Sequence, residues 1–419
     1  MLPLRIGGLF VLIILVSDSF GSVILPKNPT VKSFDTPRFK ALNFTETAIK
    51  HGYKTEEHTV ATDDGYILTL FRITKGVKCQ DEKKRTPVLL MHGLLLNADC
   101  WLDAGPEAGL AYLLSDSCID TWVGSVRGTH YSRNHINLNP DRDKEFWQFS
   151  VDEIGLFDIP ALIDYVLNKT GVKQLNYIGF SQGAGTYFIM CSERPGYCDK
   201  SKVVIALAPA TRHFYTKSIL FRGVPQLIMH KKELLEALGV WEIFARGLPL
   251  YAFLSNACQY VQAFDFCESV LALFDAPHPG SIASKTYPSL FKHILAGTST
   301  QNIARYGQSV MSKKFIKFNF NSSKNRRLYG GSHPPEYNLS AVSVPVVVIY
   351  GENDGIVDER DVKWMIESWF EARTSEFFEI HVRNYIRIYH ELCGEENIVR
   401  KPHNLRRDSL RAKFQSASS

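Results

Sequence analysis

Beyond residue 21 the chain has no apolar run approaching the roughly 20 residues that a membrane span needs. It has no C-x-x-C pair and no His/Cys cluster at metal-ligand spacing, so no metal and no cofactor is expected. It has no excess of one charge. The 48 basic and 43 acidic residues leave a net +5, too balanced to argue for a nucleic-acid partner, and no basic stripe with interleaved aromatics appears. Internal repeats and long low-complexity tracts are also missing. What is there is a chain of 419 residues, 45% hydrophobic and 22% charged, enough for a large core in one elaborated domain or two.

Residues 1–21 have the layout of a signal peptide. Arg5 gives a positive start, Ile6 to Val16 an apolar run, and Ser19 and Gly21 small residues ahead of a cleavage before Ser22. Passage through an oxidising compartment makes other features legible. Asn43, Asn168, Asn321 and Asn338 each open an N-x-Ser/Thr glycosylation sequon. The eight cysteines can form disulfides, whose connectivity is not deducible from sequence. Cys258 and Cys267 are close enough to clip a local loop. Cys191 and Cys198 can do the same, or stay free and buried.

The chemistry concentrates at Gly179-Phe180-Ser181-Gln182-Gly183. A strand-like run, Gln174 to Ile178, precedes it, and a small-residue run that suits a helix, Ala184 to Met190, follows. A serine between glycines on a strand-to-helix turn is the pattern of a nucleophile elbow, because glycine admits the close backbone approach that the turn needs. The short apolar strand Pro87 to Met91 runs into His92-Gly93-Leu94, where the Leu94 N–H is placed to form an oxyanion hole with the N–H of Gln182. The His92 side chain is expected to be structural. Arg127 is expected to position its loop, or to pair with a carboxylate. The strand Val344 to Tyr350 ends in Gly351-Glu352-Asn353-Asp354-Gly355, so Asp354 is the candidate acid that orients a base histidine. Asp358 lies beyond that turn, where a helix N-cap is more natural.

Around these points strands and helices alternate. Asp64-Gly65 turns a hairpin between Glu57–Thr62 and Tyr66–Ile73, Glu153 to Asn168 has helical periodicity, and Phe377 to Val382 reads as a last strand. The continuously apolar strands indicate a largely parallel sheet covered on both faces. Residues 210–335 break the rhythm with amphipathic patches (Ser218 to Phe221, Lys232 to Ala245, Glu268 to Phe274) and prolines, which predicts a helical cap. The expected organisation is a signal peptide over 1–21, core over 22–209, cap over 210–335, core again over 336–392, and an atypical basic tail over 393–419.

The chain resembles the acid lipases: gastric and lysosomal acid lipases and their plant relatives. The matching segments are Asp64–Leu68, His92-Gly93-Leu94, Arg127-Gly128, Phe146 to Glu153, Gly179 to Gly183, and Pro334 to Asn338 ahead of Asp354. The resemblance covers roughly residues 40–385. It implies an α/β-hydrolase fold with a helical cap and hydrolysis of triacylglycerols or steryl esters at a lipid–water interface. It further implies Ser181 as nucleophile, Asp354 as acid, Leu94 and Gln182 as oxyanion hole, a Cys258–Cys267 cap disulfide, and a secreted or lysosomal/vacuolar destination.

Two positions depart from the family. Phe180 stands where histidine is usual. Arg387 stands where the base histidine is expected, and an arginine stays charged and cannot take the serine's proton. His390, three residues on, becomes the candidate base. The alternative is a secreted lipid- or partner-binding protein that keeps the scaffold without catalysis.

Overall fold

The computed structural model describes residues 42–80, 86–246, 249–277, 280–370 and 377–382. The signal segment, Arg387, His390, Cys393 and the basic tail lie outside them.

Helix α1 (Phe44–Lys50) leads into β1 (Lys54–Ala61) and β2 (Tyr66–Lys75), an antiparallel hairpin about Asp64-Gly65. There follow β3 (Val88–Met91), α2 (Leu110–Asp116), β4 (Thr121–Gly124), β5 (Asn134–His135), α3 (Ile159–Thr170), β6 (Leu175–Phe180), α4 (Gln182–Glu193) and β7 (Ser201–Leu207). After an excursion, β10 (Val346–Gly351), α11 (Glu359–Phe370) and β11 (Phe377–Val382) complete the sheet. Among the described residues the strand order is β1-β2-β4-β3-β6-β7-β10-β11, with β5 on β2. Every pair from β4 to β11 is parallel, while β1, β2 and β5 run against their neighbours.

The apolar strands split residue by residue between two cores, as the period of two requires. Leu89, Met91, Val346, Val348 and Tyr350 face α3, α4 and α11. Val88, Leu90, Val347 and Ile349 face α1 and α2. The helix predicted over Glu153–Asn168 is regular only from Ile159. Its first residues, Ile154–Asp158, form a wider π-type turn. There Gly155 fits against α4 so closely that a Cβ would lie 2.5 Å from Ile189 Cγ2.

The excursion holds α5 (Ile219–Ala237), β8 (Glu242–Ile243), α6 (Pro249–Ala257), α7 (Phe264–Phe274), α8 (Tyr287–His293), β9 (Thr298–Ser299), α9 (Thr300–Ser309) and α10 (Ser322–Tyr329). It has its own small core of Leu254, Tyr287, Phe291 and Leu295 around the Cys258–Cys267 disulfide. The periodic stretch Lys232–Ala245 is helical only to Ala237, because Gly239 turns the backbone to φ +82. Cys191–Cys198 and Cys79–Cys118 are also bonded.

The loop after β4 is anchored by Arg127, which is 1% exposed. Its guanidinium donates to both oxygens of Asp64 (2.6 and 2.8 Å) and to Asp158 Oδ1 (2.7 Å), and its backbone N–H donates to Asp158 Oδ2. The face of Tyr66 covers it at 3.8 Å. The positioning role expected for Arg127 is therefore carried by a paired buried charge. Breaking such a pair from one side costs about 3–5 kcal/mol, because the other charge stays buried. Asp158→Ala should lower the unfolding free energy in urea by that amount. Asp63→Ala, which cuts the exposed Arg194 pair, should cost under about 1 kcal/mol.

Candidate active site

Ser181 closes β6 and opens α4, with φ 51° and ψ −110°. A non-glycine residue there carries strain of about 1–3 kcal/mol and persists only where its surroundings hold it. They do. The Ser181 N–H donates to Leu207 O (2.8 Å), and its carbonyl accepts from the N–H groups of Ala184, Gly185 and Ala210. The turn is also tight against its neighbours. A Cβ on Gly185 would lie 2.1 Å from Ala210 O, and one on Gly183 would lie 2.4 Å from Met91 O.

The exit of β3 packs onto this turn. A Cβ on Gly93 would stand 3.3 Å from Ser181 Cβ and 3.0 Å from the Phe180 ring. Phe180 thus covers the glycine of the adjoining loop. Among the described residues no acceptor is bonded to the N–H of Leu94 or of Gln182. Two unspent donors border the serine, one of them in the first turn of a helix, where the dipole favours negative charge.

His92 is fully engaged elsewhere. Its Nδ1 bonds Gly93 O (2.9 Å), and its Nε2 accepts from the Val126 N–H (3.2 Å). Burial pushes its pKa down to about 4. It is a neutral bracket between two loops, as its strand-end position suggests.

Asp354 stands beyond β10, whose Ile349 is level with Leu207 and hence with Phe180, at the same carboxyl edge. It is 6% exposed, and its Oδ1 accepts from the N–H groups of Ile356 (2.9 Å) and Val357 (2.8 Å). Asp358 accepts from the N–H of Arg360 in the first turn of α11 and from the side chains of Lys217 and Arg360. Those bonds hold its carboxyl down at about 2, despite burial. The two aspartates therefore stand in different surroundings. β11 ends at Val382 level with Gly351, so the chain enters the segment containing Arg387 and His390 at this same edge. His390 itself lies outside the described residues.

The excursion grips all three loops. Ala296 N–H donates to Leu95 O (3.0 Å), beside Leu94. The buried Gln182 side chain accepts at Oε1 from Asn302 Nδ2 (3.0 Å) and the Tyr306 hydroxyl (3.2 Å), both on α9. Gly355 N–H donates to Asp275 Oδ1 (2.6 Å), while Gly355 O accepts from the N–H groups of Lys217 and Ser218. Sequence reasoning missed Asn302, Tyr306, Asp275 and Ala296. One signal was available for α9: Asn302, Arg305, Tyr306 and Ser309 put polar groups on one helical face and are all buried.

Residues 44–105 match the family described as a partial alpha/beta-hydrolase lipase region, and residues 86–381 match the alpha/beta hydrolase fold. The chain is 37% identical over 318 residues to Lipase 1 of Drosophila melanogaster, covering 76% of this chain and 69% of that one. It is 36% identical over 337 residues to gastric triacylglycerol lipase of Homo sapiens, covering 77% and 80%. To lysosomal acid lipase/cholesteryl ester hydrolase of Macaca fascicularis it is 33% identical over 376 residues, covering 87% and 90%.

The bracket role of His92 has a pH signature. Its folded pKa lies below the unfolded 6.5, so only the unfolded chain takes up the proton between about 6.5 and 4. Its contribution to stability is complete above pH 6.5 and falls as pH drops through that window, by roughly 3 kcal/mol in all. NMR of the folded protein should find the ring titrating near 4. A midpoint near 6.5 would contradict the bracket.

Proposed function

The chain belongs to the α/β-hydrolase lipase family that includes the gastric and lysosomal acid lipases, and we propose that it hydrolyses neutral-lipid esters through an acyl-enzyme on Ser181. The observation that carries this reading is the juxtaposition at the elbow. A serine held at positive φ borders two N–H groups, of Leu94 and Gln182, that no protein acceptor uses among the described residues.

In this reading the serine oxygen attacks the ester carbonyl while a histidine takes its proton. The carbonyl oxygen becomes an oxyanion and accepts from the Leu94 and Gln182 N–H groups. Each such donor lowers the barrier by about 3–4 kcal/mol, because it is already oriented when the charge develops. The histidine returns the proton to the leaving alcohol, and water then releases the acid. Asp354 orients that histidine. Its Oδ1 is fixed by two backbone donors, which holds the carboxylate in one direction. His390 is the base in this scheme.

The helical excursion is the cap over the site, and its apolar exposed side chains, such as Ile219, Phe253 and Leu273, suit a lipid–water interface. Triacylglycerols are the substrate class this reading favours, with steryl esters as the further candidate. The three disulfides among the described residues fit the secretory pathway. Of the proposed glycosylation sites, Asn168, Asn321 and Asn338 are exposed and Asn43 is half-buried; Asn43 and Asn321 each cap a helix with the side-chain oxygen. The second reading, a scaffold that binds lipid or a partner without catalysis, draws on one observation: Arg387 occupies the family's base position.

Labelling with a fluorophosphonate separates the two. Rapid modification that Ser181→Ala abolishes, together with loss of ester turnover in His390→Ala, is the expected result. Folded protein that resists the reagent would overturn catalysis. Unchanged turnover in His390→Ala would remove His390 as base. The serine variant should retain about 10³-fold residual catalysis from the oxyanion donors alone.

A further inference from the structure

A second set of titratable groups is buried where the excursion meets the core. Asp99 (1% exposed) and Asp103 (8%) follow the loop that carries Leu94, and His293 (5%) ends α8. His293 Nδ1 lies 2.5 Å from Asp103 Oδ1, which also accepts from Ser289 Oγ at 2.7 Å. The other ring nitrogen is 3.9 Å from Asp99 Oδ2. Arg246 donates to that same Asp99 oxygen at 3.2 Å, and the Tyr131 hydroxyl donates to Asp99 at 2.8 Å. The core therefore supplies two carboxylates. The excursion supplies an arginine, a serine and a histidine. His130 faces the group from the loop after β4, and Cys100 and Tyr112 from the side of the carboxylates.

Charge counting distinguishes the two states of the ring. With His293 neutral, two buried carboxylates face one guanidinium. With His293 protonated, two face two. Buried charge is tolerated when it is paired and is costly when it is not.

The chain beyond His293 leads straight to the candidate site. Three residues on, Ala296 N–H donates to Leu95 O (3.0 Å), and Ala296 O accepts from the His130 N–H (2.8 Å). Leu95 has φ 61°, so its carbonyl direction depends on such outside partners.

We propose that protonated His293 is a positioning residue, clamping residues 293–297 against the Leu94–Leu95 loop so that the oxyanion donor is held in place only while the ring keeps its proton. The consequence for hydrolysis rests on the role proposed above for Leu94. The clamp does not. Burial opposes the charged ring, but Asp103 and Asp99 outweigh it, and its pKa rises from 6.5. The clamp's stabilisation is complete below pH 6.5 and is lost as pH climbs through the raised folded value.

The test uses the full chain, with NMR of the His293 ring and amide exchange at Ala296 and His130 between about pH 5 and 9. The ring should titrate above 6.5. Exchange corrected for its intrinsic pH dependence should accelerate by about tenfold for each unit the folded pKa is raised. His293→Gln should exchange at pH 5 as fast as the parent does at high pH. Asp103→Asn should lower the ring's midpoint, which decides the matter even if His293→Gln does not fold. For p-nitrophenyl butyrate, kcat should fall with rising pH at constant KM in the parent, and lose that dependence in His293→Gln. A ring midpoint at or below 6.5, or amide protection indifferent to His293→Gln, overturns the clamp. If exchange follows the ring but no ester is cleaved, the hydrolase reading fails and the clamp stands. Normal hydrolysis with pH-independent exchange gives the reverse.

Discussion

The carboxyl edge of the sheet depends on one steric condition: backbones meet there at distances that leave no room for a Cβ. Gly183 sits against the Met91 carbonyl and Gly185 against the Ala210 carbonyl, while Gly93 packs tightly on the side chains of Phe180 and Ser181. Because those contacts are made, the serine turn cannot relax to an ordinary φ without pushing β3 or β7 away. The strain at Ser181 is therefore held by the whole sheet rather than by the turn itself. The same contacts pack the loop that carries Leu94 onto the turn that leads into Gln182, so the stored strain and the position of that loop have a single origin.

Buried histidines in this molecule divide by whether a carboxylate faces them. His92 meets only backbone groups, and His213 bonds Ser309 Oγ beside Arg305. Burial drives both down, with the Arg305 charge adding to it at His213, to about 4 and about 3. His293 has the same burial but two aspartates in front of it, and it moves the opposite way. Residue type says nothing about this division. It depends on whether Asp99 and Asp103, near the first third of the chain, meet α8 far downstream.

That dependence also marks what was legible in the sequence. The turn at Ser181, the β3 exit, the Asp354 turn and the succession of strands and helices along the chain could be read because each is local. A strand ending in glycine-flanked polar residues carries its own signal. The Asp358 cap and the Asp64-Gly65 hairpin were readable for the same reason. The grip of the excursion on the three loops was not. Asn302, Tyr306, Asp275 and Ala296 act through contacts with residues far from them in the chain, and nothing beside them in sequence announces a partner. Arg127 falls between: its need for a carboxylate was foreseeable, while the choice of Asp64 and Asp158 required the fold. The widened turn before α3 was invisible to a periodicity argument, which assumes a uniform helix.

The hydrogen bonds from α9 to Gln182 span 120 and 124 residues of chain. During synthesis, at about 5–20 residues per second, the elbow emerges some ~6–24 seconds before the helix that locks its side chain. A growing chain therefore carries the Ser181 turn for an interval in which that turn lacks its buried polar partners. On the role proposed for Ser181, the order of translation itself keeps the site incomplete until the second half of the chain, which also carries Asp354, has been made.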